Sequence, residues 1–194
     1  MFDDIHASGK RMLALVNDLL DVAKIESTVG AFHLERLDLR SLLREAGREF
    51  EPMLAAKQLR LVLQAGDEPL LAKVDPLRFG QVLRNVIANA VKFSPERGLI
   101  ELSGEINDYG ETQICIRDQG PGIPEAELER VFEAFVQSSQ TKDGSGGTGL
   151  GLAICKKIVQ AHGGQIHAEN ASGGGCIFLI TLPARGFAET RPAP

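Results

Sequence analysis

Residues 147–154 read Gly-Thr-Gly-Leu-Gly-Leu-Ala-Ile, three alternating glycines that run straight into an apolar helical stretch. Glycine has no Cβ, so backbone N–H groups at these positions can approach an anion closely. The first turn of the following helix adds unpaired N–H donors and the positive end of its dipole at the same spot. A polyanion such as a nucleotide phosphate tail is the natural guest of that geometry. A plain tight turn is the alternative, and the neighbouring motifs decide between them.

Those motifs sit in a chain of 194 residues, enough for one globular domain and a small appendage. The net charge of −5 offers no basic field for nucleic acid. With no tryptophan and a single tyrosine, Tyr109, base stacking is not the trade either. No apolar run approaches the ~20 residues that cross a bilayer. The opening Met1-Phe2-Asp3-Asp4 lacks the basic-then-apolar order of a signal peptide. Cys115, Cys155 and Cys176 are scattered without metal-ligand spacing, which fits a reducing compartment. Cys115 and Cys155 read as buried small hydrophobes.

Residues 3–26 read as one amphipathic helix. Ile5, Met12 and Leu19 recur every seven residues, Leu15 and Val22 form a second seam, and Leu13, Val16 and Leu20 widen it. So broad a stripe belongs in a helical bundle and needs a partner, in this chain or another. Ser27-Thr28-Val29-Gly30 breaks the pattern as a linker. Phe32, Leu34 and Leu37 predict a short strand, and Asp38 caps a helix predicted over Leu39–Lys57. A strand is expected over Leu59–Leu63. Asp75-Pro76 opens a helix that runs to Ser94-Pro95. Leu99–Ile106 and Thr112–Arg117 read as paired strands. A helix is expected from Pro124 through Val131, a polar stretch over Gln137–Gly147, and a helix over Leu150–His162. Gln165–Glu169 and Cys176–Leu182 complete the strands, and a tail begins at Gly186. Helices interspersed with antiparallel strands, without a regular βαβ repeat, predict an α+β sandwich with helices on one face of a mixed sheet.

Four patches along this order carry chemistry. Asn85 and Asn89 lie four apart on one helix and share a face, with Lys92 one turn further on. Carboxamide oxygens suit a hard cation such as Mg²⁺, and Lys92 can meet a phosphate as a point charge. Asp118-Gln119-Gly120-Pro121-Gly122-Ile123 ends a predicted strand. Its carboxylate can accept the exocyclic amine of adenine, although a capped turn uses the same residue types. Phe132 and Phe135, three apart on an expected helix, would anchor one end of a lid. The glycine octapeptide closes that lid, and Gly173-Gly174-Gly175 opens the final strand.

As an ordered set, these four patches resemble the N, G1, F and G2 boxes of the ATP-binding domain of sensor histidine kinases, over roughly Phe32 to Pro183. The resemblance implies a two-layer α/β sandwich, with a mixed five-stranded sheet under three main helices and an added N-terminal bundle helix. It implies ATP and Mg²⁺ as cofactors, with Asn89 as the metal ligand and Asn85 assisting at metal and phosphates. Lys92 resembles the phosphate contact, and Phe93 stands where an aromatic lies near base or ribose. Asp118 resembles the adenine reader, with Gly120, Gly122 and Ile123 in the base pocket. Gly147, Thr148, Gly149, Leu150 and Gly151 resemble the phosphate loop, and Lys142 is a further phosphate candidate. One departure stands out: Cys176 occupies a position where the family usually has threonine or serine, and a thiol is the weaker donor.

Related ATPases and serine kinases of this fold resemble one another in a glutamate four residues before the metal asparagine, where it acts as general base. Here that position is Asn85, and a carboxamide cannot take the proton. A neutral imidazole is already nucleophilic, so the asparagine implies phosphoryl transfer to histidine rather than efficient hydrolysis. The family's His-Glu-x-x-Thr-Pro type acceptor motif is absent. His6 is followed by Ala7, His162 reads as a helix C-terminal cap, and His33 and His167 read as surface strand residues. The N-terminal helix resembles the second helix of the family's dimerisation and phosphotransfer hairpin. The implied organisation is a hairpin fragment over 1–28, a catalytic domain over 29–185 and a disordered tail over 186–194. The acceptor histidine would then lie upstream, or on a partner in trans; an ATP-hydrolysing switch of the same fold and a nucleotide-free docking module are the alternatives. The implied partners are that acceptor domain, a downstream response regulator and a second copy joined through the N-terminal helix, with no nucleic acid and no membrane contact. The implied location is the cytoplasm, in a parent protein that membrane segments could anchor.

Overall fold

The computed structural model describes residues 32–141 and 147–183, together with His6, Gly9, Met12 and Val16. Those four are helical, and Met12 and Val16 are exposed. The rest of the helix expected over 3–26, the linker, Lys142 and the tail from Gly186 lie outside the described residues.

The chain runs through β1 (Glu35–Asp38), α1 (Leu39–Glu49), α2 (Glu51–Ala56), β2 (Arg60–Ala65), β3 (Leu71–Val74) and α3 (Pro76–Phe93). It continues through β4 (Leu99–Ile106), β5 (Thr112–Arg117), α4 (Gly151–Ala161), β6 (Gln165–Asn170) and β7 (Cys176–Leu182). Five strands form one mixed sheet in the order β2-β4-β5-β7-β6. β2 runs parallel to β4, and the other neighbours are antiparallel. β1 and β3 pair separately as an antiparallel ribbon.

Alternation decides which face of the sheet is covered. Ile114 and Ile116 of β5 stand opposite Ile180 and Phe178 of β7, and all four are buried. Their sequence neighbours Gln113, Cys115, Leu179 and Thr181 face the other way and stay half-exposed. The buried face packs against apolar stripes of the three main helices: Leu39 and Leu43 of α1, Phe79, Val82 and Val86 of α3, and Ile154 and Ile158 of α4. This is the expected α+β two-layer sandwich. Cys155 is fully buried in that core, whereas Cys115 lies on the open sheet face and is only half-buried, contrary to expectation.

α3 starts where Asp75 Oδ1 accepts the Arg78 N–H at 3.0 Å, with Pro76 in the first turn. At its other end the Lys57 ammonium donates to the carbonyls of Val91, Lys92 and Ser94. A cation on unpaired C-terminal carbonyls is favourable twice, by hydrogen bonding and by the helix dipole.

The expected elements need correction at several points. The helix predicted over Leu39–Lys57 breaks at Phe50, because Pro52 has no N–H to continue the ladder and instead sits in the first turn of α2. β3, Leu71–Val74, is a strand beyond those expected, and it owes its place to pairing with β1. The expected helix after Pro124 is two 3₁₀ turns, Glu125–Glu127 and Arg130–Phe132. Phe132 and Phe135 therefore share no helix face: Phe132 is buried edge-on to Phe178, while Phe135 is 65% exposed at φ +66°. His162 does cap the C-terminus of α4, as expected, but as a buried group rather than a charged one. It is 2% exposed, and burial lowers its pKa below the usual imidazole value, against the pull of the Ile158 carbonyl and Asp75. His167 is exposed on β6 as expected, while His33 precedes β1 rather than lying in it.

Candidate functional site

A cleft of about 250 Å³ opens between α3, the end of β5 and the start of α4. Its helical wall is the face of α3 that carries Asn85, Asn89, Lys92 and Phe93, all of which line it. The opposite side of the same helix is buried core, so the polar stripe is what remains to face a ligand. The Asn85 Nδ2 donates to the Gly151 carbonyl at 3.3 Å. With its amide nitrogen engaged there, the carboxamide oxygen is its remaining polar atom. The Lys92 ammonium stands 4.9 Å from the centroid of the Phe93 ring, within cation–π range.

The far wall is the glycine turn. Gly147, Thr148, Gly149 and Gly151 line the cleft, and Leu150 does not: it is buried and anchors the turn in the core. Gly149 has φ +70°, and a Cβ there would stand 2.8 Å from the Phe135 carbonyl carbon. That close approach is used, because the Phe135 N–H donates to the Gly149 carbonyl at 2.9 Å. The Gln137 carboxamide donates to the Gly147 carbonyl on the same side. Thr148 Oγ1 accepts the Leu150 N–H at 3.2 Å. α4 then begins at Gly151 with no side-chain cap, which leaves first-turn donors for an anion.

The closed end is built around Asp118, which is 4% exposed. Its Oδ1 accepts the Gly120 N–H at 2.8 Å and the Cys176 N–H at 3.2 Å, and its own N–H donates to the Cys176 carbonyl at 2.9 Å. Burial raises the carboxyl pKa above its ordinary 3.8, opposed by the two backbone donors. Gly120 itself does not line the cleft; its amide orients the acid. Gly175, at φ +96°, lies so close that a Cβ would overlap the Asp118 carbonyl oxygen at 1.9 Å. Gly122 and Ile123 line the cleft, and Asn170 holds them there. The Asn170 side chain accepts from the Ile123 N–H at 2.8 Å and donates to its carbonyl at 2.7 Å.

Thus the described site residues converge on one cleft, with Gly120 and Leu150 just behind its wall and Lys142 outside the described residues. Several lining residues were not foreseen: Val131, Val136, Gln137, Ser138, Thr141, Leu152 and Phe178. Phe178 and Val131 look like ordinary core residues in sequence. Cys176, noted earlier as a departure, does line the cleft. Burial and the nearby Asp118 push its thiol up to about 12, so it stays protonated. Among the described residues no group of three or more His, Cys, Asp or Glu side chains is placed to hold a metal. No described helix is long and apolar enough to cross a membrane.

This combination of a helix-over-sheet sandwich with a carboxamide helix, a strand-end acid and a glycine turn around one cleft defines a nucleotide-binding ATPase fold. Residues 74–186 match the family described as histidine kinase-, DNA gyrase B-, and HSP90-like ATPase, more than half of the chain, and the chain belongs to that family. Its near relatives are sensor histidine kinases. WalK of Bacillus subtilis (strain 168) is 38% identical over 176 residues, 90% of this chain and 29% of WalK. The catalytic domain of histidine kinase ThkA superposes with a TM-score of 0.70 at 33% identity, covering 78% of this chain and 96% of that domain. ThkA in complex with the response regulator protein TrrA matches with a TM-score of 0.78 at 27% identity, over 97% of this chain and 51% of that one. Full-length ShkA in complex with AMPPNP matches with a TM-score of 0.80 at 31% identity, over 93% of this chain and 37% of ShkA. The chain therefore spans under a third of the length of curated relatives such as WalK and KinB of Pseudomonas aeruginosa.

Proposed function

We propose that this chain is the catalytic part of a sensor histidine kinase, which binds Mg-ATP and passes the γ-phosphate to a histidine on a phosphoacceptor domain outside it. The observation that carries this reading is the single cleft shared by the Asn85–Asn89 face, the Thr148–Gly151 turn and Asp118. A triphosphate laid between helix and turn would meet the Lys92 ammonium and the uncapped amides of α4, while its base would reach Asp118. The AMPPNP held by ShkA, an ATP analogue, supports an adenine nucleotide as the guest.

The donor set fits magnesium. Asn89 would bind the ion and Asn85 would assist, both through neutral oxygens, with phosphate and water completing an oxygen shell. Held by Asn89 and Asn85, such an ion would supply positive charge beside the phosphates. The protein's own residues do the alignment. Gly149 keeps the turn close to Phe135, Asn85 ties that turn to α3, and Gly120 and Cys176 amides hold Asp118 ready to accept an amine hydrogen. With Asn85 where a general base would stand, a water molecule in the cleft has no proton acceptor there, which favours histidine over water as the nucleophile.

In this reading residues 1–28 are the second helix of a dimerisation and phosphotransfer hairpin, 29–185 the catalytic domain and 186–194 a tail. The N-terminal helix joins two copies in the intact kinase, and a response regulator acts downstream; that ThkA forms a complex with the response regulator protein TrrA supports such a partner. The location is cytoplasmic. The test is to mix the chain with labelled ATP and the isolated acceptor hairpin of the same kinase. Acid-labile, base-stable label on the hairpin is the expected result. Nucleotide binding with no label on the hairpin, or steady ATP turnover without it, would overturn the proposal.

A further inference from the structure

Helices α3 and α4 run antiparallel, and three polar contacts cross between them in step. At the cleft end Asn85 donates to the Gly151 carbonyl at 3.3 Å. In the middle the Cys155 thiol lies 3.8 Å from the Val82 carbonyl. At the far end the Asp75 N–H donates to His162 Nε2 at 2.9 Å. The last of these is made by an imidazole that the phosphoryl-transfer reading does not use.

His162 is locked in one neutral form. Its Nδ1 lies 2.7 Å from the Ile158 carbonyl and so carries the proton, which leaves Nε2 as the acceptor. The ring stands edge-on to Phe32, with centroids 5.1 Å apart, and to Phe79 at 6.2 Å. Asp75 is in turn engaged on both oxygens, by the Arg78 N–H that starts α3 and by the His33 N–H at 3.0 Å. One buried side chain therefore joins the end of α4, the start of α3 and the Phe32–His33 segment.

We propose that His162 is a positioning residue of the cleft: its neutral imidazole sets the axial register of α4 against α3, and with it the gap between the Thr148–Gly151 turn and the Asn85–Asn89 face. A helix advances about 1.5 Å per residue, so a slip of one residue at the His162 end carries the glycine turn by that amount. Displacements of about 1 Å are large on the scale of phosphoryl-transfer alignment. The consequence for nucleotide rests on the reading of the cleft given above; the register itself does not.

Protonation is the natural perturbation. An imidazolium presents N–H at both nitrogens, so the Asp75 N–H would face a donor and the contact would be lost. The groups against the ring are Phe32, Phe79, the Ile158 carbonyl and Asp75, and Asp75 is the charged one that acts on it. Because burial lowers the folded pKa below 6.5, the neutral form prevails at pH 7. The contact weakens only as pH falls below that ordinary value toward the folded one.

The test uses the full 194-residue chain as parent, His162→Leu and His162→Gln. Without nucleotide, NMR follows the Asn85 side-chain and Gly151 amide resonances; with nucleotide, titration gives Mg-ATP affinity. His162→Leu is expected to shift both resonances and weaken Mg-ATP binding about two- to thirtyfold with helix content unchanged. His162→Gln, whose side-chain oxygen can accept the Asp75 N–H, is expected to restore both and to remove the acid shift of the Asn85 and Gly151 resonances, while the acid limit that Asp118 sets on ATP affinity persists. A folded His162→Leu with Asn85 and Gly151 resonances at their parent positions overturns the assignment. Should that variant not fold, acid titration of the parent decides: Gly151 moving with the His162 titration supports the assignment, and a still Gly151 overturns it. A parent that shifts as expected but binds no ATP would remove the nucleotide reading and leave the register role standing.

Discussion

Asn85 and Gly151, 66 residues apart in the chain, meet through a side-chain N–H donated to a backbone carbonyl at 3.3 Å. One is the inner carboxamide of α3 and the other the first residue of α4. The bond ties the two walls of the cleft to each other directly rather than through the sheet beneath them. It also sorts the two asparagines into different tasks, since Asn85 has a structural partner and Asn89 projects into the cleft one turn on.

Asn89→Ala is expected to abolish Mg²⁺-dependent ATP binding while leaving the fold intact. Asn89 is only half-buried, so truncation should change stability by less than about 1 kcal/mol. Calorimetric titration with and without Mg²⁺, alongside a thermal melt, checks both halves. Unchanged affinity in the presence of Mg²⁺ would remove Asn89 from the metal site.

Asp118 should impose an acid limit on adenine recognition. Its folded pKa is raised above 3.8, so on acidification it protonates earlier than an exposed aspartate would. The sign for stability is the reverse of the usual carboxylate case: the protonated form favours folding below 3.8, and that contribution is lost as pH rises through the folded value. ATP affinity should therefore fall on the acid side of neutrality while the protein itself does not lose stability on Asp118's account. Asp118→Ala is expected to reduce preference for ATP over GTP. It also leaves the buried Cys176 amide and the half-buried Gly120 amide without their acceptor, at a cost of about 1–3 kcal/mol. Competition binding across pH is the measurement.

Two glycines of one turn should respond very differently to alanine. Gly173 and Gly175 share nearly the same positive φ, +98° and +96°. A Cβ on Gly173 meets nothing within 4 Å, so the substitution costs only the backbone penalty, about 1–2 kcal/mol. A Cβ on Gly175 overlaps the Asp118 carbonyl, so Gly175→Ala must move the acid or the strand. The expected outcome is a larger loss of stability than for Gly173→Ala, together with loss of ATP binding. Equal melting temperatures for the two variants would contradict this placement.

The cysteines should divide under a thiol reagent. Burial pushes Cys155 up to about 12, and burial with Asp118 does the same for Cys176. Cys115 is also raised but lies half-buried on the open sheet face. At neutral pH a disulfide reagent is expected to titrate Cys115 slowly and the other two only after denaturation. Mass spectrometry of labelled peptides distinguishes them.

Much of this architecture is readable along the chain where the pattern is local. Alternation in Leu99–Ile106 and Thr112–Arg117 located β4 and β5 to the residue, and Asp75-Pro76 located the start of α3. The site residues were legible for a related reason: paired asparagines on a helix and alternating glycines before one are unusual combinations with few other uses. What escaped depends on distant neighbours. Val131 and Phe178 become cleft walls only because of how strands and turns stack, and as residues they are indistinguishable from core. The bidentate grip of Asn170 on Ile123 spans 47 residues and leaves no local trace. Pro52 is a local signal for the break after α1, and the expected helix over Leu39–Lys57 passed over it.

The Asp118 carboxylate is oriented by the peptide nitrogen of residue 176, and the side chain there takes no part in that bond. Main-chain groups are common to all residues except proline, so selection can exchange thiol, hydroxyl or methyl at this position without unseating the acid. If the cleft holds a purine as proposed, site 176 can alter the wall the base meets while the anchoring of Asp118 stays fixed.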